Sequence, residues 1–441
     1  MRPVPLPELA RLLGRQCRDA AETVVRGVST DSRRVAPGDL FVAVAGDVFD
    51  GNDFVRAAIA AGAAAVVTSE DIAGVPRIVA ADTLEVLRDL AALRRAELRM
   101  PVVAITGSSG KTSTKDLLAR ALPGAWASPR SFNNEIGVPL TVINTPDDAS
   151  YLVAEVGSRG RGHISFLMPA VRPDVAVITN LGLVHLETFG TTADLADAKF
   201  ELIEALDEEG AAVLPAGETR LHRPHRGSTL TFGVEPDADV RVGRVDIDSG
   251  GYPSFQISYH DEVANVRLRI AGAHQALNAA AAVAAGVALG VDFAVLVTRL
   301  ESATGSQWRM EIHRGRFTVV NDAYNANPDS MEAAMRTVAA MPGRHLAVLG
   351  TMAELGPVAA AEHRRIGRLA DELGFAAVIT VGDEPGIAAA AGPIARNVPD
   401  AETAHELISG MVRPGDVVLV KASRAVGLES LAMRLATEAT Q

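Results

Sequence analysis

The chain has 441 residues, too many for a single hydrophobic core, so two or three domains are expected. Its 48% apolar and 22% charged residues exclude a disordered chain, and Cys17, the only cysteine, excludes an intrachain disulfide and fits a reducing compartment. A net charge of −12 excludes nucleic acid as the main partner, because neutralising phosphates takes a basic surface; small anionic substrates need only a local cluster of positive groups.

The opening "MRPVPLPELARLLGR" has no long apolar run ending in a small-residue cleavage site, so no signal peptide is read and a cytoplasmic location is expected. Residues 1–97 hold short apolar runs in "GVSTDSRRVAPGDLFVAVAG", a helical "DFVRAAIAAGA" and a strand-like "AAVVTS", which predicts a small α/β domain. Residues 98–305 open on "PVVAITG", a buried strand, then a Gly-rich turn and a helix from about Lys111. The strand-like runs "YLVAEVG", "DVAVITN" and "AAVLPA" follow, separated by helical segments, which predicts a parallel sheet with helices on both faces. From about 228 to 271 the pattern alternates as in a small antiparallel appendix, and the Ala-rich "ALNAAAAVAAGVALGV" (276–291) reads as a buried helix, too short to span a bilayer comfortably. Residues 306–441 alternate strand and helix again and predict a second doubly wound, Rossmann-like α/β domain. The fold class is therefore α/β, in three domains.

Of the 42 basic residues only four are lysine, namely Lys111, Lys115, Lys199 and Lys421. In a composition so biased toward arginine, surviving lysines are enriched for sites where a guanidinium cannot act. "AITGSSGKTSTKD" (104–116) is strand, Gly-rich turn, Lys-Thr and helix. Backbone N–H groups of Gly107, Ser108, Ser109, Gly110 and Ser113 and the helix N-terminus suit phosphates, Lys111 suits their terminal oxygens, and Thr112 suits Mg²⁺. The pattern is the shorter G-x-x-G-K-T, since Ile105 stands where the full motif has glycine. A nucleoside triphosphate such as ATP is the expected ligand. Glu155 ends the strand-like "YLVAEVG", where a carboxylate serves a metal or is a satisfied buried acid. His185 follows "VITNLGLVHLETFG" just beyond a strand and is a candidate for a second metal.

In chain order these motifs are joined by "NNEIGVPLT" (133–141), "AK" with Lys199, "HQALNAAAA" (274–282), "WRME" (308–311), "NDAYNANPDSM" (321–331), "GTMAELG" (350–356) and "KASR" (421–424). The whole set, with "TDSRRVAPGDLFVAVAGDVFDGNDF" in the first block, resembles the Mur ligases over essentially the entire chain. "DAYNANPDS" and "NNEIGVPLT" point to the branch that joins D-alanyl-D-alanine to a UDP-N-acetylmuramoyl-tripeptide. The resemblance implies an ATP-dependent carbon–nitrogen ligase of peptidoglycan precursor synthesis, working through an acyl-phosphate shielded by domains that close over it.

It also implies a UDP-sugar-binding domain at 1–97, an ATP-binding domain at 98–305 and a ligand-binding domain at 306–441. Two Mg²⁺ ions are implied, with Thr112, Glu155, His185 and Lys199 as the metal set. In most of the family the lysine matching Lys199 is carbamylated by CO₂, which needs an amine able to lose its proton, and a guanidinium with pKa above about 12 cannot. By motif, Asn278 contacts adenine, while Arg309 and Asp322 contact the nucleotide's phosphates and ribose. Lys421, Ser423 and Arg424 lie near the incoming substrate and γ-phosphate, and Tyr324, Asn325 and Asn327 line the acceptor pocket. Ser32, Arg33, Asn133 and Asn134 meet the UDP-sugar. Small molecules are the only partners implied, with no membrane insertion and a monomeric chain.

Lys115 is left as a solvated residue. His163, Ala422, Trp308 and Asn52 depart from the family pattern, which has an acidic residue, glycine, glycine and histidine there. These positions sit on substrate-side loops, so a related ligase for another carboxylate and amine stays open as an alternative. A non-catalytic scaffold would have no use for the complete set of Lys111, Glu155 and Lys199.

Overall fold

The computed structural model describes residues 2–46, 49–129, 131–182, 186–384 and 386–441. They form two compact units, each discontinuous in sequence: Met1–Ala104 with Gly124–Gly157 and His163–Asp174, and Ile105–Pro123 with Ser158–Gly162 and Val175–Gln441.

In the first unit a five-stranded sheet has the order Cys17–Arg18, Arg77–Val79, Ala65–Thr68, Asp39–Val42 and Gly27–Ser29. Only the Cys17–Arg18 edge is antiparallel. Phe41, Val55, Ala58 and Val66 fill the core on one face. Helix Thr83–Glu97 begins at Asp82, whose carboxylate accepts the Leu84 and Glu85 N–H groups, and it packs against helices Gly137–Ile143 and His163–Val171. Arg94 is buried there and donates to the Thr145 carbonyl (2.7 Å) and the Asp147 carboxylate (2.6 Å), fixing the turn after the second helix. Strands Ala125–Ala127 and Tyr151–Glu155 pair in parallel beside them.

In the second unit Val175–Ile178, Ala211–Pro215 and Ser228–Gly233 pair in parallel. Antiparallel pairing starts only between Val240–Ile247 and Pro253–Tyr259 and continues to Glu262–Arg267. The appendix therefore begins one strand later than the alternation of residues 228–271 suggests, because a half-exposed strand alternates in the same way whichever direction its neighbour runs. Helix Gln275–Ala288 is buried along nearly its whole length and packs on helix Lys111–Ala121. Its alanines permit the close approach; a Cβ on Gly286 would lie 2.5 Å from Leu296. No described helix is long and apolar enough to cross a membrane.

The same unit holds a six-stranded sheet in the order Glu311–Arg314, Thr318–Asn321, Val417–Lys421, His345–Gly350, Ala377–Val381 and Ala395–Val398, parallel except at the first pair. One face packs on helices Pro328–Ala339 and Ala359–Glu372, and the other on helices Ala401–Ser409 and Glu429–Ala439. The architecture is the α/β arrangement that the alternating pattern predicts.

Candidate active site

Strand Val102–Thr106 leads into a turn whose Gly107 and Gly110 have φ of +148° and +78°. A Cβ on Gly107 would lie 1.9 Å from Thr179 Oγ1, and one on Gly110 2.4 Å from Asn278 Oδ1, so neither position has room for a side chain. A second segment clamps the turn. Ser108 N–H donates to the Asn180 carbonyl (3.1 Å), Ser109 N–H to Asn180 Oδ1 (2.8 Å), and Asn180 Nδ2 to Ser109 Oγ (2.7 Å). Thr179 Oγ1 donates to the Ser109 carbonyl at 2.6 Å.

Helix Lys111–Ala121 then starts from Gly110 with no side-chain cap, an N-terminus of the kind that suits an anion. Lys111 Nζ folds back to the Gly107 carbonyl at 2.7 Å, and Thr112 is buried on the first turn. Thr179 and Asn180 were not singled out from the sequence; their position just past strand Val175–Ile178, in "TNLG", is the signal that could have found them. Gly107→Ala is expected to push out the Thr179 hydroxyl and impose left-handed strain, weakening ATP binding roughly a hundredfold, which an ATP titration would read. Binding within threefold of the parent would refute it.

Lys199 lies in helix Thr192–Glu204 and is 2% exposed. Its amine makes no hydrogen bond or ion pair among the described residues. Burial, reinforced by the charge of Lys111, holds its pKa well below the usual 10.5. The amine therefore releases its proton far more readily than a surface lysine. Lys115 is also buried, beside Asp116 at 3.0 Å, and is not the solvated residue expected from the sequence: it faces inward, a choice that helical periodicity alone left undecided.

A third lysine, Lys421, is 2% exposed and donates to Asp322 Oδ2 (2.5 Å) and the Asn325 carbonyl (2.9 Å). The other Asp322 oxygen accepts the Met310 N–H at 3.0 Å. Two residues on, Ser423 Oγ accepts the Ala353 N–H at 2.8 Å, and the Ser423 N–H donates to the Thr351 carbonyl at 3.1 Å. Ala422 is fully buried; a Cβ on the neighbouring Gly350 would meet its methyl at 2.7 Å. Asn325 Oδ1 accepts the Ala326 N–H. Asn327 caps helix Pro328–Ala339 reciprocally with Ser330. Asn278, behind the phosphate turn, donates to Gln275 Oε1 at 2.9 Å. Neighbouring His274 is pushed down to about 4 by burial, against the pull of Asp322 and with the help of Lys421, so it is neutral at physiological pH.

Four further side chains stack beside this pair. The Arg309 guanidinium lies 4.2 Å from the centroid of the Tyr324 ring, and that of Arg424 lies 4.9 Å from Trp308 and 6.0 Å from Tyr324. Arg424 also pairs with Glu429 at 3.0 Å. Trp308 has φ of +60°, a conformation that costs a bulky residue about 1–3 kcal/mol.

The first unit gathers its own set. Glu155 is 1% exposed at the end of its strand; its Oε1 accepts from Asn133 Nδ2 at 2.7 Å and its N–H donates to Ser128 Oγ at 3.0 Å. Asn134 Oδ1 accepts the Gly137 N–H at 2.8 Å, at the start of helix Gly137–Ile143. His163 Nε2 lies 3.3 Å from Glu135. Arg33 forms a two-point pair with Asp31, holding that carboxyl at about 2, and Ser32 is half-buried between them. Asn52 bonds Asp50, Thr68 and Ser69, tying a turn to the end of the sheet's middle strand. His185 lies outside the described residues. Among the described residues no group of three or more His, Cys, Asp or Glu gathers as a metal site.

Comparison with known proteins shows the family. Residues 24–95 match the Mur ligase family catalytic domain, 105–286 the Mur ligase middle domain and 308–424 the Mur ligase glutamate ligase domain. The UDP-N-acetylmuramoyl-tripeptide–D-alanyl-D-alanine ligase of Mycobacterium tuberculosis is 37% identical over 96% of this chain and 94% of its own length. Its Escherichia coli counterpart is 31% identical over 99% of both. Among solved structures, MurF of Acinetobacter baumannii superposes with a TM-score of 0.90 at 29% identity over 99% of both chains. MurF of Thermotoga maritima in complex with ADP gives 0.84 at 30% identity, covering 94% of this chain and 98% of that one. The chain belongs to the Mur ligase family of ATP-dependent ligases.

Proposed function

We propose that this chain joins D-alanyl-D-alanine to a UDP-N-acetylmuramoyl-tripeptide with cleavage of ATP to ADP and phosphate, in the cytoplasm and as a monomer. The observation that carries the reading is the clamped glycine turn opening a helix at Lys111, in a chain similar over nearly its whole length to ligases of that name. In the first step a carboxylate oxygen of the tripeptide attacks the γ-phosphorus of ATP, and the bond to the ADP oxygen breaks. The D-alanyl-D-alanine amine then attacks the resulting acyl-phosphate carbonyl, loses a proton and expels phosphate. The first step brings two anions together and the second builds negative charge on the attacked carbonyl oxygen, charge that the Lys111 ammonium and the N-terminus of its helix offset.

We assign the nucleotide to Gly107–Ser113, Asn278, Arg309 and Asp322. The UDP-sugar falls to Ser32, Arg33, Asn133 and Asn134, and the reacting and acceptor groups to Tyr324, Asn325, Asn327, Lys421, Ser423 and Arg424. These roles divide the chain into domains at 1–97, 98–305 and 306–441. The buried amine of Lys199, without a hydrogen-bond or ion-pair partner among the described residues, suits a carbamate formed with CO₂, which would turn a desolvated base into an anion beside Lys111. Thr112, Glu155, His185 and that carbamate are the proposed ligands of two Mg²⁺, which when bound neutralise charge on the phosphates and the attacking carboxylate.

Phosphate release from MgATP should require both UDP-MurNAc-tripeptide and D-alanyl-D-alanine, with UDP-MurNAc-pentapeptide detected by mass spectrometry. Absence of turnover with every common tripeptide, from a folded chain that still binds ATP, would overturn the substrate assignment while leaving the ATP site standing.

A further inference from the structure

Trp308 has no part in the assignments above, yet the backbone accepts strain to place it. At φ of +60° glycine is the unstrained choice, and a large aromatic persists there only when the surroundings reward its ring. Its N–H donates to Glu311 Oε2 (3.0 Å) and its carbonyl accepts the Tyr324 N–H (3.2 Å), contacts that glycine would make equally well. The indole N–H is buried and has no hydrogen-bond partner among the described residues, so no hydrogen bond fixes the ring. What the ring face does meet is the guanidinium of Arg424, 4.9 Å from its centroid.

Arg424 is held on three sides, by Trp308, by Tyr324 and by Glu429, while its side chain keeps 53% of its surface exposed. A guanidinium so oriented, with half its side-chain surface open, suits a fixed anionic ligand better than a free surface arginine would. A second guanidinium, that of Arg309, shares the Tyr324 ring. Bringing two cations over one ring is favourable where an anion is to be received.

We propose that Trp308 is a positioning residue that presents Arg424 to an anionic group of the substrates, phosphate or carboxylate. The inference rests on the proposed ligase reading for the identity of that group, and on the stack alone for the positioning.

The test is a double-mutant cycle on the full chain, with steady-state kinetics for ATP and UDP-MurNAc-tripeptide. Trp308→Gly is expected to lower kcat/KM for at least one of these anions about tenfold, with Tm unchanged or higher because the backbone strain is relieved. Trp308→Phe, which keeps a ring face, should recover most of the loss. The Trp308→Gly/Arg424→Ala pair should be no slower than Arg424→Ala alone, since both changes remove one contact. Additive losses, or parent-like kinetics for Trp308→Gly, would overturn the proposal. If the parent chain itself fails to turn over, the ligase reading fails first, and emission decides the stack separately. Trp126 and Trp308 are the only tryptophans, so in a Trp126→Phe background Arg424→Ala should alter Trp308 emission. An unchanged spectrum would show that the ring and the guanidinium do not meet.

Discussion

Lys199→Met is expected to lower kcat by about 10²–10³-fold while leaving Tm equal to or above that of the parent. The stability half of this expectation follows from burial. The amine is desolvated and has no described partner, so folding holds its pKa well below the ordinary 10.5. Between those two values the unfolded chain binds a proton that the folded chain does not, and the lysine's contribution to stability therefore rises with pH across that window. Methionine has similar length and no charge to desolvate, so it removes the penalty and its pH dependence together. The activity half follows from the carbamate: a thioether cannot react with CO₂. Lys199→Arg should be inactive too, but it forces a permanent cation beside Lys111 and is expected to unfold more readily, so methionine is the cleaner variant. In the parent, activity should fall in CO₂-depleted buffer and return on adding bicarbonate, and ¹³C-labelled bicarbonate should give a carbamate resonance that Lys199→Met lacks. A Met variant that is folded and as active as the parent would remove Lys199 from the reaction altogether.

How far the sequence anticipated these features depended on whether the determining contact is local. The phosphate turn was legible because strand, glycines, Lys111 and Thr112 are consecutive and each has a stated physical task. Asn327 was equally legible in principle, since Asn-Pro-Asp-Ser is a helix start, yet its motif drew attention to ligand binding and away from the cap that its side chain makes. Lys115 is buried against the expectation of a solvated lysine, because helical spacing does not say which face a lone lysine occupies when helix Gln275–Ala288 covers the inner side. The Thr179–Asn180 clamp spans about seventy residues of chain and could be found only by pairing two strand ends. The left-handed backbone at Trp308 has no sequence signal, because tryptophan is among the residues least expected there. The scarcity of lysine proved informative: three of the four are at most 2% exposed, as if arginine had been accepted wherever solvent could receive it.

Breaking the Lys421–Asp322 pair on one side should cost stability and activity together, and breaking it on both sides should separate them. Lys421 is 2% exposed and the Asp322 carboxylate lies almost wholly out of solvent. Lys421→Met leaves that carboxylate, among the described residues, with the Met310 N–H on its other oxygen, and it strips the Asn325 carbonyl of its donor. Loss of one partner from such a buried pair is expected to cost about 3–5 kcal/mol, seen as a lower urea midpoint at unchanged slope. Asp322→Asn should cost a similar amount, because it leaves the ammonium buried without a counter-charge. In the Lys421→Met/Asp322→Asn chain no buried charge remains at this place, and the asparagine carbonyl can still accept the Met310 N–H. Stability should return to within about 1.5 kcal/mol of the parent, a coupling of at least about 4.5 kcal/mol. Phosphate release should not return with it. If Asp322 receives the nucleotide and Lys421 an anionic substrate group, the double variant lacks both charges and should stay about a hundredfold slower than the parent. Stability and turnover recovering in parallel would mean that the pair serves only the fold. Recovery of stability alone would place a reacting group against these two residues, a role that buried charges tied to one another and to the loop at Asn325 are well held to perform.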